Sequence, residues 1–140
     1  MMVARDRVGA VLSLAVLVPA GLATKFYRGP AAGWVAGSLG GVLYEIFWCL
    51  AFLAAMPRAV PAATAGEVFL VTCALECLQL WHPPLLEAIR GTFLGAALLG
   101  TTFVPSDFGY YAIGCGLGWL WMRGLRRLRD PSGRGVPRTG

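Results

Sequence analysis

The sequence predicts an all-α protein, a polytopic bundle of four membrane-spanning helices with an interfacial or re-entrant segment between the third and the fourth. Of the 140 residues, 57% are hydrophobic and only 14% are charged, against roughly 25% charged residues in a typical soluble domain. The mean hydropathy is +0.66. A chain of this length forms a single domain that cannot bury so much apolar surface by itself, whereas a lipid bilayer can cover it.

The apolar residues are grouped in stretches close to the ~20 residues that cross ~30 Å of hydrocarbon. The first predicted helix, residues 8–24, follows Arg5 and Arg7. Its basic start and small-residue end are also typical of a signal peptide, so a cleaved segment stays an alternative to the retained helix that we favour. The second helix, residues 34–56, contains Glu45 as its one charged residue.

The third helix, residues 62–81, lies between a proline-rich turn and the sequence His82-Pro83-Pro84. Residues 85–104 begin as an amphipathic segment and become apolar and rich in glycine. Because the apolar part is too short to cross a bilayer, it predicts an interfacial or re-entrant segment. The fourth helix, residues 107–125, begins at Ser106 or Asp107 as a cap, and a basic cytoplasmic tail, residues 126–140, follows it.

Basic residues fix the predicted orientation, since they accumulate on the cytoplasmic side of membrane proteins. With four spans, the inside holds Arg5, Arg7, Arg58 and the six arginines after Met122, and the outside holds Lys25, Arg28 and Arg90. Both termini are therefore predicted to be cytoplasmic, and a fifth span would place one basic terminus outside. The positive charge flanks apolar helices without a nucleic-acid recognition motif, which argues against nucleic acid as a partner.

Polar residues inside apolar helices are costly and mark the places where function is expected. On the third helix, Thr72, Glu76 and Gln79 share one face because they are spaced by four and three residues. Arg90 and Asp107 reach the same outer end from the two sides of the glycine-rich segment. The predicted polar cluster consists of Glu76, Gln79, Arg90, Asp107 and Tyr111.

Two interpretations of this cluster stay open. Arg90 can neutralise Glu76 or Asp107 and so pin the loop to the bundle, because a buried charge needs a partner. Alternatively, the same side chains form a binding site for a ligand. Glu45 is a second intramembrane charge, deeper in the bilayer.

Gly114 and Gly118 form a pair of small residues four apart, which predicts close packing of the fourth helix against a neighbour. The four cysteines lie in apolar segments at spacings that match neither a redox motif nor a zinc site. We therefore predict no metal site and no cofactor. The sequence also lacks the common hydrolase, metalloprotease and phosphate-loop motifs, so no residue is assigned a catalytic role and a non-enzymatic protein is favoured.

Several of these residues occur in an order that resembles a known family. The similar segments are Leu43–Trp48, Leu75–Leu80, Ile89–Thr92, Leu99-Gly100, Ser106-Asp107, Tyr111, Gly114 and Gly118. They resemble the bacterial domain-of-unknown-function family 2809 over roughly residues 21–118. A more distant resemblance is to the VanZ-like family, whose members are small four-helix membrane proteins. These resemblances imply a helical bundle, a polar cluster and a location in the bacterial cytoplasmic (inner) membrane.

The leading functional hypothesis is a non-enzymatic, envelope-associated module in the lipid bilayer. It would bind a lipid, a lipid-linked precursor or a partner membrane protein through the outer-facing cluster, with a homo-oligomer as a further possibility. One alternative is a membrane enzyme that acts on a lipid headgroup or an isoprenoid phosphate, with Glu76 or Asp107 as acid–base and Arg90 on the phosphate. Another is a subunit of a small transporter or channel, with Glu45 and Glu76 along its path.

Overall fold

The computed structural model describes residues 2–129, and this part of the chain is helical without strands. Of the predicted tail, residues 126–140, the first four residues continue the last helix to Arg129, and the rest lies outside the described residues. Six helices follow each other along the chain: α1 (Met2–Phe26), α2 (Ala32–Ala55), α3 (Pro61–Leu78), α4 (Pro84–Arg90), α5 (Phe93–Leu99) and α6 (Asp107–Arg129). The all-α class predicted from the sequence is thus confirmed.

Three of these helices are long and apolar enough to cross a membrane, over Ala4–Phe26, Ala32–Ala55 and Pro61–Leu78. They correspond to α1, α2 and α3, and they indicate a multi-pass membrane protein. Helix α6 has 23 residues, which is ample length for a span. Helix α6 is not one of the three candidate spans, because its aromatic residues, its glycines and the arginines in its last turns lower its mean hydropathy. The fourth span therefore stays a prediction.

Helix α3 ends at Leu78, three residues before the end predicted from the apolar pattern. Gln79 and Leu80 continue as a tight turn, in which their N–H groups donate to the carbonyl oxygens of Glu76 and Cys77, each at 3.1 Å. Such bonds tighten the last turn of a helix, and the prolines that follow cannot extend it. The hydropathy pattern continues across this turn although the α-helix does not.

The segment between α3 and α6 consists of two short helices rather than one continuous element. They meet at Gly91 and Thr92, where the Thr92 hydroxyl accepts a hydrogen bond of 3.0 Å from the Gly95 N–H and caps α5. Helices α4 and α5 pack on each other at one end of the bundle. We call this the α4–α5 end.

Helix α2 is the centre of the bundle, since it packs against α1, α3 and α6. Neighbouring helices run in opposite directions: the Arg7 Nε near the start of α1 donates to the Ala54 carbonyl at the end of α2, at 2.9 Å. At this same end, the Arg126 guanidinium donates to the carbonyls of Pro57 and Ala59 in the α2–α3 turn, at 2.8 and 2.6 Å. Two arginines thus close the end of the bundle that lies opposite the α4–α5 end.

The contact between α2 and α6 is close at two glycines. A methyl group on Gly114 would lie 2.6 Å from the Glu45 Cβ and 2.8 Å from the Val42 carbonyl oxygen, and one on Gly118 would lie 2.8 Å from the Cys49 Sγ. Real side-chain carbons do not come this close, so the two backbones approach each other only because these positions carry no side chain. This contact fixes where the first turns of α6 stand relative to α2 and α3.

Candidate functional site

A polar cavity of about 290 Å³ lies at the α4–α5 end of the bundle. Its walls come from the end of α1, from α2 and α3, from α5 with the connection 100–104, and from the first turns of α6. The polar side chains in these walls are Lys25, Tyr44, Thr72, Glu76, Gln79, Thr101, Thr102, Asp107 and Tyr111. The cavity therefore joins polar side chains from five separate parts of the chain.

Glu76 is the most deeply buried of these groups, with 1% of its surface exposed. Its Oε1 accepts a hydrogen bond from the Val104 N–H at 2.7 Å. Its Oε2 accepts from the Gln79 Nε2 at 2.9 Å and from the Tyr111 hydroxyl at 2.7 Å. Because a buried carboxylate needs hydrogen-bond donors, Glu76 ties α3 to the connection before α6 and to α6 itself.

Gln79 is 6% exposed, and within residues 2–129 its Oε1 has no hydrogen-bond partner. The carboxamide lies on Gly100, where a methyl group would be 2.9 Å from the Gln79 Cδ and would also overlap the Nε2. Gly100 has φ = +70°, a left-handed conformation that suits glycine. The structure thus holds a buried amide with one acceptor atom left free, which is uncommon in proteins.

The hydroxyl groups of Tyr44 and Thr72 donate within the protein, whereas Thr101 and Thr102 in the cavity wall are exposed. The Tyr44 hydroxyl donates to the Leu98 carbonyl at 2.7 Å and so attaches α2 to α5. The Thr72 hydroxyl lies 2.7 Å from the Val68 carbonyl and 3.2 Å from the Glu45 Oε2. In contrast, the Asp107 carboxylate lines the cavity without a hydrogen bond to any other part of the described chain.

Arg90 pairs with neither Glu76 nor Asp107, so one of the two interpretations left open by the sequence is wrong in its partners. Its ion pair within the described residues is with Glu87, at 2.9 Å. The guanidinium, 5% exposed, also donates to the carbonyl oxygens of Leu78 and Trp81 at 2.9 and 3.0 Å. The physical reason is that the end of a helix offers unpaired carbonyls, which a planar guanidinium can bind together. Arg90 therefore holds α4 against the end of α3 through the two backbone carbonyls, and not through Glu76 or Asp107.

Glu87 connects Arg90 with His82 at the exposed side of the α3–α4 turn. Its Oε1 lies 2.9 Å from the His82 Nδ1 as well as from Arg90. The hydrogen bond with His82, followed by the one with Arg90, holds the pKa of the Glu87 carboxyl below its usual value. The lone histidine therefore takes part in the structure of the α3–α4 turn.

Glu45 lies apart from the cavity, fully buried between α2, α3 and α6. Its Oε2 accepts from the Cys115 Sγ at 2.9 Å and from Thr72 at 3.2 Å. Its Oε1 has no partner among the described residues. Thr72 lines the cavity and also donates to Glu45 at 3.2 Å, so Glu45 lies close behind the cavity wall.

The structure thus brings together Glu76, Gln79 and Tyr111 by direct hydrogen bonds, and it places Asp107 in the wall of the same cavity. Arg90 is not among the residues that line this cavity. Within residues 2–129, no three His, Cys, Asp or Glu side chains are grouped so that they could hold a metal ion.

Three groups of this site were not predicted from the sequence. The Lys25 Nζ donates to the Ala36 carbonyl at 2.7 Å, in a π-helical turn of α2 (Val35–Leu39) beside the cavity. Tyr44 and the backbone N–H of Val104 were not expected either. Tyr44 precedes Glu45 in sequence, and Lys25 ends an apolar stretch, so both could have been noted. A backbone donor in an irregular connection leaves no signal in the sequence.

Another carboxylate was overlooked as well. Glu67 lies in α3, is exposed, and lines a mainly apolar groove of about 510 Å³ between α2 and α3. The groove is separate from the polar cavity except for Tyr44, Thr72 and Leu75, which line both. Glu67 therefore serves as a reference carboxylate on the same helix as Glu76 but outside the cavity.

Comparisons with known proteins agree with the resemblance noted from the residues. A family model described as a protein of unknown function (DUF2809) matches residues 31–115. This range contains α2, α3, α4, α5 and the first turns of α6, and with them every cavity residue except Lys25. A search of curated proteins and a search of solved structures gave no match. The chain belongs to the DUF2809 family of proteins of unknown function.

Proposed function

We propose that this protein is a membrane-embedded binding module whose polar cavity takes the headgroup of a lipid or of a lipid-linked molecule. One observation carries the proposal: the free Oε1 of Gln79, 6% exposed, in the wall of a cavity that also contains Glu76 and Asp107. A buried acceptor without a partner costs about 1–3 kcal/mol. A bound ligand with a hydrogen-bond donor would remove this cost.

The proposed arrangement in the membrane has four spans, with α6 as the fourth. Helix α6 packs against α1, α2 and α3, and a buried face with Gly114, Cys115 and Met122 runs along it. Arg7 and Arg126 lie at the end opposite the cavity. By the positive-inside rule, that end is cytoplasmic and the cavity faces outward.

The geometry around Glu76 supports binding rather than catalysis. Both oxygens of Glu76 are occupied by donors from the protein itself, at 2.7 to 2.9 Å. A general acid or base must reach the proton that it transfers, directly or through one water. Glu76 instead shapes the wall and supplies a negative charge next to the bound group.

The size of the cavity supports a headgroup rather than a whole lipid. A volume of about 290 Å³ lies at the lower end of the ~300–1,000 Å³ found for small-molecule sites. The outer surface of the bundle is apolar, with exposed Phe26 and Phe93 stacked on each other at a centroid distance of 6.2 Å near the α4–α5 end. Acyl or isoprenoid chains can lie along this surface while the headgroup enters the cavity.

The proposal is tested by native mass spectrometry of the protein released from its membrane in mild detergent. The wild type and a Glu67→Gln control are expected to retain one lipid per chain, and a Gln79→Leu variant less than about a tenth of that, because it lacks the free acceptor. The proposal is overturned if the wild type retains no lipid, or if Gln79→Leu retains as much as the wild type. Chemically altered lipids in cells that overproduce the wild type, but not Glu76→Gln, would overturn it in favour of a lipid-modifying enzyme.

A further inference from the structure

We infer that the cavity selects a zwitterionic headgroup, with a primary ammonium group bound beside Gln79 and Asp107 and its phosphate held by Lys25 at the rim. This inference rests on the proposed function and names the chemical class of its ligand. It follows from an inventory of the hydrogen-bond donors and acceptors that the walls leave unused.

Apart from the exposed Thr101 and Thr102, the hydroxyl donors in the walls are committed to the protein. The hydroxyl hydrogens of Tyr44 and Tyr111 go to the Leu98 carbonyl and to Glu76, at 2.7 Å each. The one hydroxyl hydrogen of Thr72 is directed to the Val68 carbonyl and Glu45. A ligand that needs several donors, such as a free carboxylate or a sulfate, would therefore find few of them in the buried part of this cavity.

The acceptors are in excess. Within the described chain, the Gln79 Oε1 has no partner and the Asp107 carboxylate, which lines the cavity, accepts no hydrogen bond. The Glu76 carboxylate adds a second negative charge. A primary ammonium carries three N–H donors and a positive charge, so it matches both the acceptors and the sign of the field. A trimethylammonium has the same charge but no N–H donor, and it cannot satisfy Gln79.

Lys25 can bind the phosphate, which is the second charged group of the headgroup. Its ammonium gives one hydrogen to the Ala36 carbonyl at 2.7 Å, which leaves two N–H groups for a ligand. The side chain lines the cavity and is exposed, whereas Glu76 and Gln79 are buried. Positive charge at the rim and negative charge in the interior form a dipole that orients a phosphate outward and an ammonium inward.

The same chemistry exists in a lipid and in a soluble amine, so the test has two arms. In the first, the wild type is reconstituted in nanodiscs of phosphatidylglycerol that contain either phosphatidylethanolamine or phosphatidylcholine, and the bound lipid is quantified. We expect retention of phosphatidylethanolamine about tenfold above phosphatidylcholine, the factor that one charge-assisted hydrogen bond provides. In the second arm, free phosphoethanolamine is added, and we expect displacement only at millimolar concentration because it lacks the chains.

Variants identify the groups responsible. Asp107→Asn should reduce the preference for phosphatidylethanolamine over phosphatidylcholine about tenfold, whereas Lys25→Gln should weaken both lipids to a similar degree, because both contain the phosphate. Glu67→Gln, outside the cavity, should leave the preference unchanged. Thermal unfolding of each variant in the same detergent controls for loss of fold.

The outcomes separate this inference from the function on which it rests. Binding of lipid that depends on Gln79 but shows no preference for the primary ammonium overturns the inference and leaves the binding function standing. A preference that persists unchanged in Asp107→Asn also overturns it. Absence of any bound lipid in the wild type overturns both.

Discussion

Glu45 and Glu76 are two buried carboxyl groups in one small bundle, and their surroundings differ in kind. Glu45 is enclosed by helix packing: α6 passes over it at Gly114, and its Oε2 has two partners while its Oε1 has none. Glu76 is enclosed by polar contacts: three donors reach it, from Gln79 in the turn after α3, from Val104 in the connection before α6 and from Tyr111 in α6, and a cavity lies beside it.

The difference indicates two roles for buried charge in a membrane helix. At Glu45, the tight contact of α2 with α6 leaves no room for a ligand. At Glu76, the irregular chain between α3 and α6 supplies a backbone donor and opens a space that regular helices would have filled. The first region depends on close packing, and the second depends on hydrogen bonds that cross between elements. Four changes test this distinction.

The largest effect is expected from Gly114→Ala. The added methyl group would lie 2.6 Å from the Glu45 Cβ and 2.8 Å from the Val42 carbonyl oxygen, so α6 must move away from α2. Overpacking of this kind costs about 3 kcal/mol of unfolding free energy, measured by denaturation in mixed micelles. The matched control is Gly116→Ala in the same helix, where the added methyl meets no atom within 4 Å. Equal losses in the two variants would contradict a packing-determined Glu45 region.

Next in size is Arg90→Ala. It leaves the carbonyls of Leu78 and Trp81 without their donor and releases α4 from the end of α3. We expect a loss of about 2 kcal/mol, typical of hydrogen bonds to a buried charged group. Arg28→Ala, exposed at the same end of the bundle, should change the unfolding free energy by less than about 0.5 kcal/mol. An Arg90→Ala protein as stable as Arg28→Ala would show that polar contacts do not hold this region.

The two carboxyl groups themselves provide a third test. Glu76→Gln replaces an oxygen by an NH₂ group where both oxygens now accept hydrogen bonds, so one donor must face another. We expect a loss of about 1–2 kcal/mol. Glu45→Gln can place its NH₂ at the oxygen that has no partner and keep the acceptor for Cys115 and Thr72. It should cost less than about 0.5 kcal/mol. A larger loss of unfolding free energy in Glu45→Gln than in Glu76→Gln would contradict this distinction between the two regions.

The smallest effect concerns pH. The pKa of Glu87 is lowered in the folded protein, first by His82 and then by Arg90. A carboxyl group with a lowered pKa stabilises the fold above its unfolded pKa, and this contribution is lost as the pH falls through the folded value. The melting temperature of the wild type should therefore exceed that of Glu87→Gln at neutral pH, and the gap should close on acidification below about pH 4. A gap that does not change with pH would exclude this linkage.

The sequence predicted the general fold because the cause is local. Apolar stretches near the length of a bilayer, with prolines and charges between them, require helices in lipid whatever the tertiary contacts are. Helices α1, α2 and α3 follow from this argument, and the family was recognised from the order of Glu76, Gln79, Arg90 and Asp107. The periodicity of α3 also placed Glu76 and Gln79 on one face, and the structure joins them by a hydrogen bond.

Only the tertiary structure decided what each polar group touches. One interpretation of the sequence placed Arg90 at a carboxylate of the cluster, but Arg90 binds Glu87 and the carbonyls that the end of α3 leaves unpaired. The donor from Val104, the position of Lys25 and the free oxygen of Gln79 depend on the path of irregular backbone. Hydropathy and periodicity report which face of a helix is buried. Hydrogen-bond partners are selected by distance and direction in three dimensions, which the sequence pattern does not contain.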